Sequence, residues 1–145
     1  MAESPESIKV FFDASVLVAA AFSSSGGSFR IVNETPIRGF HFLTSRHAFG
    51  EAERAILRKR MERMIELEHL AVYLEIIPDA PSEVTDKLLD VIDFKDAPIL
   101  AAALQSDSQV LLTLDREHFL ENSNIIEKFP LLQVMTPGNF IQKYF

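Results

Sequence analysis

The apolar run Val10-Phe11-Phe12 breaks off at a bare carboxylate, Asp13, and Ser15 and an alanine-, valine- and leucine-rich stretch with helical character follow at once. A buried strand that ends in an acid just before a helix places that acid at the carboxyl edge of a parallel sheet, where such sheets bind ligands. No other segment restricts the fold as much. Taken alone, Asp13 reads first as a helix cap, because Asp and Ser both accept hydrogen bonds from the free N–H groups of a first turn. Acids further along the chain shift that balance.

The same alternation recurs to the end of the chain. Strand-forming runs fall at 8–12, 40–43, 72–77, 110–114 and, more weakly, 133–135. Between them, helical spacing predicts helices over 15–21, 29–34, from about 46 onward, 82–92, 97–104 and 138–144. The helix from 46 follows Ser45, a natural cap, and either continues or breaks and restarts through Met61, Met64, Ile65 and Leu67. The 97–104 helix is apolar nearly all round and carries Pro98 in its first turn, where proline is tolerated. Its alanines suit close approach to a sheet. Residues 23–28 are Ser- and Gly-rich and read as a flexible loop. Alternating strands and helices predict an α/β fold: a three-layer α/β/α sandwich around a central, mainly parallel sheet. With 145 residues the chain is the size of one domain, expected over 8–145 after a disordered tail at 1–7.

Three acids share one kind of place. Asp13 follows the first strand, Asp115 follows the 110–114 strand, and Asp96 begins a helix. In a parallel sheet all three can reach one edge. Glu51, three residues past Ala48 and four before Ala55, borders the buried stripe of its helix, whereas Glu53 is turned about 200° from it, toward solvent. Carboxylates converging without cations raise one another's pKa, and a divalent ion relieves the repulsion. Oxygen ligands suit Mg²⁺ or Mn²⁺ rather than zinc. His41, His47, His69 and His118 show no metal-pair spacing with one another, so each is assigned a surface or packing role. Taken singly, Asp96 reads as a cap, Glu51 as a solvated helix residue and Asp115 as a turn residue.

The chain has no cysteine and no apolar run long enough to span a membrane, which points to a cytoplasmic protein without disulfides or thiolate metal sites. Its net charge of −7 argues mildly against a surface that grips nucleic acid throughout. The distribution matters more than the sum. Six of the 14 basic residues lie between 46 and 63, and Arg54 and Arg58 share a helix face one turn apart. A basic face there suits a phosphate backbone. Glu53, Glu62, Glu66 and Glu68 intersperse the same region, as on an ordinary solvated helix.

From Val10 to Phe145 the sequence resembles the PIN domain, the nuclease fold of VapBC-type toxins and of several RNA-processing enzymes. The segments that carry the likeness keep the family's order: Val10 to Val18, Thr44-Ser45 through Glu51 to Leu57, Asp93 to Ala103, Leu112 to Phe119 and Met135 to Phe140. The resemblance implies a Mg²⁺- or Mn²⁺-dependent ribonuclease that leaves 5′-phosphate and 3′-hydroxyl ends. Carried over position by position, its catalytic and metal-binding acids are Asp13, Glu51, Asp96 and Asp115, with Asp93 a further candidate ligand. Ser15 and Thr113 match supporting hydroxyl positions. Arg46, Arg54 and Arg58 are candidate RNA contacts. RNA is the implied substrate, and a cognate antitoxin and a second copy of the chain are the candidate protein partners. The alternative is a non-catalytic PIN-like module that binds RNA or protein, although such a module would normally have lost an acid. A phosphatase of the haloacid-dehalogenase type ranks lower, because it needs a second Asp where Ser15 stands.

Overall fold

The structure, a computed structural model, describes residues 7–23, 25–33 and 39–145. Five strands, β1 (Ile8–Phe12), β2 (Phe40–Ser45), β3 (Glu75–Ile77), β4 (Val110–Leu112) and β5 (Gln133–Met135), pair in parallel in the order β3-β2-β1-β4-β5. β1 takes the centre because it can be covered on both faces. Val10, Phe11 and Phe12 are all fully buried, and Val10 sits in register with Phe42 on one side and Val110 on the other.

The pleat of β1 divides the core. Val10 and Phe12 enter one apolar layer and Phe11 enters the other, as a two-residue period requires. The first layer is closed by α1 (Ala14–Phe22), α2 (Gly27–Asn33), α4 (Met64–Ala71) and α8 (Pro137–Tyr144). The second is closed by α5 (Ser82–Asp86), α6 (Ala97–Gln105) and α7 (Ser123–Lys128). α3 (Arg46–Lys59) borders both, giving Ala52 and Ile56 to the first layer and Ala48 to the second. This is the α/β/α sandwich that the alternation of elements predicts. α6 is buried nearly all round, through Ala97, Ile99, Leu100, Ala101, Ala102 and Ala103.

Several elements differ from their sequence reading, for local reasons. The stretch 72–77 pairs only at Glu75–Ile77. The N–H groups of Val72, Tyr73 and Leu74 bond instead to the carbonyls of His69, Leu70 and Ala71, which tighten the end of α4. The helix expected over 82–92 stops at Asp86. Beyond it the chain coils through three-residue turns that still bury Leu88, Val91 and Ile92. For the helix from 46 the chain takes the second of the two courses left open: it breaks at Arg60, whose backbone (φ −153°, ψ 76°) is not helical, and Leu67 and Leu70 reach the first layer from a restarted α4. α2 begins at Gly27, inside the stretch read as a loop. α7 was not foreseen. Asn122 starts it, with its side-chain oxygen accepting from the N–H groups of Asn124 and Ile125. Of the tail expected at 1–7, residues 1–6 lie outside the described residues, as do Ser24 and the last position of the helix expected over 29–34.

Phe11→Ala should cost roughly 3–5 kcal/mol in urea unfolding, because it empties a fully buried ring position between the sheet and α6. Leu131→Ala, at a side chain 90% exposed, should stay within about 0.5 kcal/mol of wild type.

Candidate metal centre at the carboxyl edge of the sheet

From β1 the chain moves toward β2 and β3, then crosses to the other side of β1 to lay down β4 and β5. The connections therefore diverge between β1 and β4, and in an open α/β sheet the crevice beyond such a point is the ligand site. Asp13 is the first residue after β1. Asp115 lies three past the end of β4. Asp96 immediately precedes α6, which runs back to β4 and so begins on the same edge.

Asp13 is 5% exposed and takes every hydrogen bond its position offers. Oδ1 accepts from Ala14 N–H at 2.8 Å, which makes it the cap of α1, as its isolated reading suggests. Oδ2 accepts from Ser15 Oγ and from Thr113 Oγ1, both at 2.7 Å. These two hydroxyls in turn accept from the N–H groups of Leu114 and Asp115, each at 3.0 Å. Two short relays thus tie the end of β1 to the chain leaving β4, and they set the backbone of Asp115.

Asp96, Asp115 and His118 each offer one ligand atom within 4.8 Å of the others. His118 Nδ1 lies 3.1 Å from Asp115 Oδ2 and 3.6 Å from Asp96 Oδ2. The surface or packing role assigned to that histidine did not include these contacts. Pairwise histidine spacing could not reveal them, because the partners are carboxylates. The signal was Asp115-x-x-His118, which a single π-helical turn over Arg116–Leu120 folds onto itself. Asp96 also departs from its isolated reading, since its side chain makes no cap hydrogen bond and is left to the cluster. Asp93 stands outside that cluster and closes a turn, accepting Lys95 N–H on Oδ1 at 3.0 Å.

Glu51 approaches from α3. Its Oε1 is 3.0 Å from Nε2 of His47, one turn earlier, so a second histidine also touches a candidate acid. Glu51 is half-buried, and so is Glu53, which the helix phase had turned to solvent. The buried stripe of Ala48, Ala52 and Ile56 runs between the two glutamates, one on each flank. The charge of Glu51 adds to the rise of both Asp13 and Asp96. Arg46, Arg54 and Arg58 are exposed, and the Arg54 guanidinium folds back over Gly50, where an added Cβ would meet its nitrogen at 3.3 Å. Among the described residues no lysine or arginine is ion-paired with Asp13, Glu51, Asp96 or Asp115.

A family model described as the PIN domain matches residues 9–117. Solved structures share the fold, these three among them. VapBC2 from Rickettsia felis, bound to a DNA fragment of its promoter, has a chain 14% identical to this one with a TM-score of 0.64, covering 88% of this chain and 97% of that one. PAE2754 from Pyrobaculum aerophilum is 18% identical with a TM-score of 0.65, covering 93% and 88%. VapC20 from Mycobacterium tuberculosis, a sarcin-ricin-loop-cleaving toxin, is 18% identical with a TM-score of 0.57, covering 74% and 91%. No curated protein matches the chain.

The chemistry of the donor set fits a hard divalent ion, with carboxylates in excess and no fixed cation among them. The fields show the strain of that excess. Burial, reinforced by the charges of Asp115, Asp13 and Glu51 and opposed by His118, pushes the Asp96 carboxyl from 3.8 to about 6. Burial also raises Asp13, against the lowering effect of its three hydrogen bonds. The hydrogen bond to Asp115 raises His118, with the charges of Asp115, Asp96 and Glu117 adding to it. All three groups therefore hold protons more tightly folded than unfolded. The stability each lends is complete below its unfolded pKa and is lost as pH rises through its folded pKa. For Asp96 that window runs from 3.8 to about 6. In chelator, the melting temperature should fall by a few degrees between pH 5 and pH 8. Asp96→Asn should flatten the fall and melt above wild type at pH 8. Added Mn²⁺ should raise wild type more than the variant.

Proposed function

The chain belongs to the PIN-domain family, and we propose on that basis that it is a divalent-metal-dependent endoribonuclease of the VapC toxin type, using Mg²⁺ or Mn²⁺. The observation that carries this reading is the cluster of Asp96, Asp115 and His118 where β1 and β4 diverge, with Asp13 bonded to Thr113 on the same chain exit and the charge of Glu51 raising both Asp13 and Asp96. Asp13, Glu51, Asp96 and Asp115 are the residues that would hold the ion. When bound there, the ion supplies a Lewis acid for a phosphoryl oxygen and an activated water.

The chain's own residues supply the rest. Ser15 and Thr113 hold Asp13 in one orientation through Oδ2, and with Ala14 N–H on Oδ1 they leave one Oδ1 lone pair for the ion. His47 restrains Glu51, a flexible side chain that would otherwise lose rotamer freedom on binding. The exposed Arg46, Arg54 and Arg58 lie on the helix that carries Glu51 and offer contacts to the RNA backbone beside an edge that would repel it. In-line attack needs no nucleophilic side chain, and cleavage leaves a 5′-phosphate and a 3′-hydroxyl. Residues 8–145 act as one domain, in the cytoplasm, under the control of a cognate antitoxin. The VapBC structure among the similar folds supports that partner.

Purified protein incubated with single-stranded RNA should cut it in Mn²⁺ or Mg²⁺ and not in chelator. Cleavage that survives chelator or Asp13→Asn sinks the mechanism. Glu51→Gln should lower cleavage by about a hundredfold or more, while Glu53→Gln, on the opposite flank of α3, stays near wild type with an unchanged melting temperature. Loss of activity in Glu53→Gln alone would mean that the wrong flank of α3 faces the substrate.

A further inference from the structure

Asp115 caps a single π-helical turn that contains His118, and the two side chains meet there, with His118 Nδ1 3.1 Å from Asp115 Oδ2. A carboxylate and an imidazole three residues apart make a chelating pair in metal-binding helix bundles. Here a third donor, Asp96 Oδ2, comes from another segment. Two donors each about 2.1 Å from one ion lie about 3.0 Å apart at a right angle and about 3.4 Å apart at the tetrahedral angle. The separations of His118 Nδ1 from Asp115 Oδ2 and Asp96 Oδ2, 3.1 and 3.6 Å, fall within a few tenths of an ångström of those values, the first being a hydrogen bond that the ion would replace.

The turn that presents the imidazole is braced on both sides. The His118 N–H donates to Asp115 Oδ1 at 3.0 Å. The His118 carbonyl accepts from Asn122 Nδ2 at 3.0 Å, and the same nitrogen donates to the carbonyl of Val91 at 3.0 Å. Asn122 thereby ties the His118 turn to the segment that leads into Asp96. Phe119, next in the chain, is anchored in the second core layer. A surface histidine with only a solubilising role needs none of this bracing. A ligand does, because its position must hold to within a fraction of an ångström.

We propose that His118 Nδ1 is a direct metal ligand beside Asp96 and Asp115, and that this nitrogen biases the site toward first-row transition ions, Mn²⁺ among them, over Mg²⁺. The inference rests on the metal-dependent reading above and deepens it. Mg²⁺ keeps to oxygen donors, whereas the transition ions accept imidazole, with affinity rising from Mn²⁺ to Co²⁺.

Pulsed EPR of the Mn²⁺-loaded protein tests direct bonding, because a coordinated imidazole imprints nitrogen-14 modulation on the manganese signal. Wild type and His47→Gln should show it, and His118→Gln should not. By calorimetry His118→Gln should still bind Mn²⁺, about tenfold or more weakly, with a smaller change for Mg²⁺. A triple variant with His41, His47 and His69 all changed to Gln leaves His118 as the sole histidine and should keep the modulation, which decides the point even if His118→Gln folds poorly. Bound Mn²⁺ without modulation in wild type, or modulation that survives His118→Gln, overturns the His118 assignment and leaves the carboxylate site standing. Wild type that binds no Mn²⁺ overturns both.

Discussion

The candidate site depends first on how a buried carboxylate is kept satisfied. Asp13 is nearly inaccessible, and an ionised carboxylate in such a place is costly unless hydrogen bonds replace its water. Its donors come from both sides of the strand pair: Ala14 N–H and Ser15 Oγ from the chain after β1, Thr113 Oγ1 from the chain after β4. Removing any of them would leave part of that desolvation uncompensated, and a group so exposed to loss usually costs more than an average hydrogen bond contributes. The backbone N–H groups of Leu114 and Asp115 are satisfied through the same two hydroxyls. One acid therefore organises the exit of two central strands, and the remaining groups of the edge take their places around it.

That arrangement is bought against electrostatics. Asp96 has its carboxyl lifted by burial and by three neighbouring acids, with His118 as the partial counterweight. A sequence selected only for stability would have placed a neutral side chain or an arginine at one of these positions. Stored repulsion of this kind is common where a fold is shaped for a ligand that arrives later. His118, whose affinity for a proton is raised by Asp115, softens it without cancelling it. It reaches Asp96 and Asp115, and His47 reaches Glu51, so each side of the edge sets an imidazole against a carboxylate.

Much of this was legible from residue order alone. Unbroken apolar runs revealed parallel strands, because strands covered on both faces need no polar alternation. The acids that end or follow those runs revealed the edge. Features depending on short-range backbone competition were hidden. Val72 and Tyr73 look like strand residues, yet their N–H groups are taken by the end of α4. The helical period through 88–92 persists in burial although the backbone is no longer α-helical. The contacts of His118 were concealed for a different reason. Its closeness to Asp96 spans segments far apart in the chain, and its closeness to Asp115 depends on a π-helical turn. Glu53 was placed in solvent by angular arithmetic, which gives direction around a helix but not how far the neighbouring layers extend over its flanks.

The register between β1 and β4 has a consequence for the life of the polypeptide. Phe12 pairs with Leu112, and Asp13 is bonded to Thr113, exactly where about a hundred intervening residues must first be laid down. Contacts of such wide sequence separation form late, after the local units have assembled. A ribosome-bound chain that has delivered β1, β2 and α3 already carries Asp13 and Glu51, but Thr113 and Asp115 are still unmade or inside the exit tunnel. The edge therefore closes only after β4 and the residues that follow it have left the ribosome. A copy that stops short of Asp115 cannot assemble it, which separates the making of β1 from the onset of whatever chemistry that edge performs.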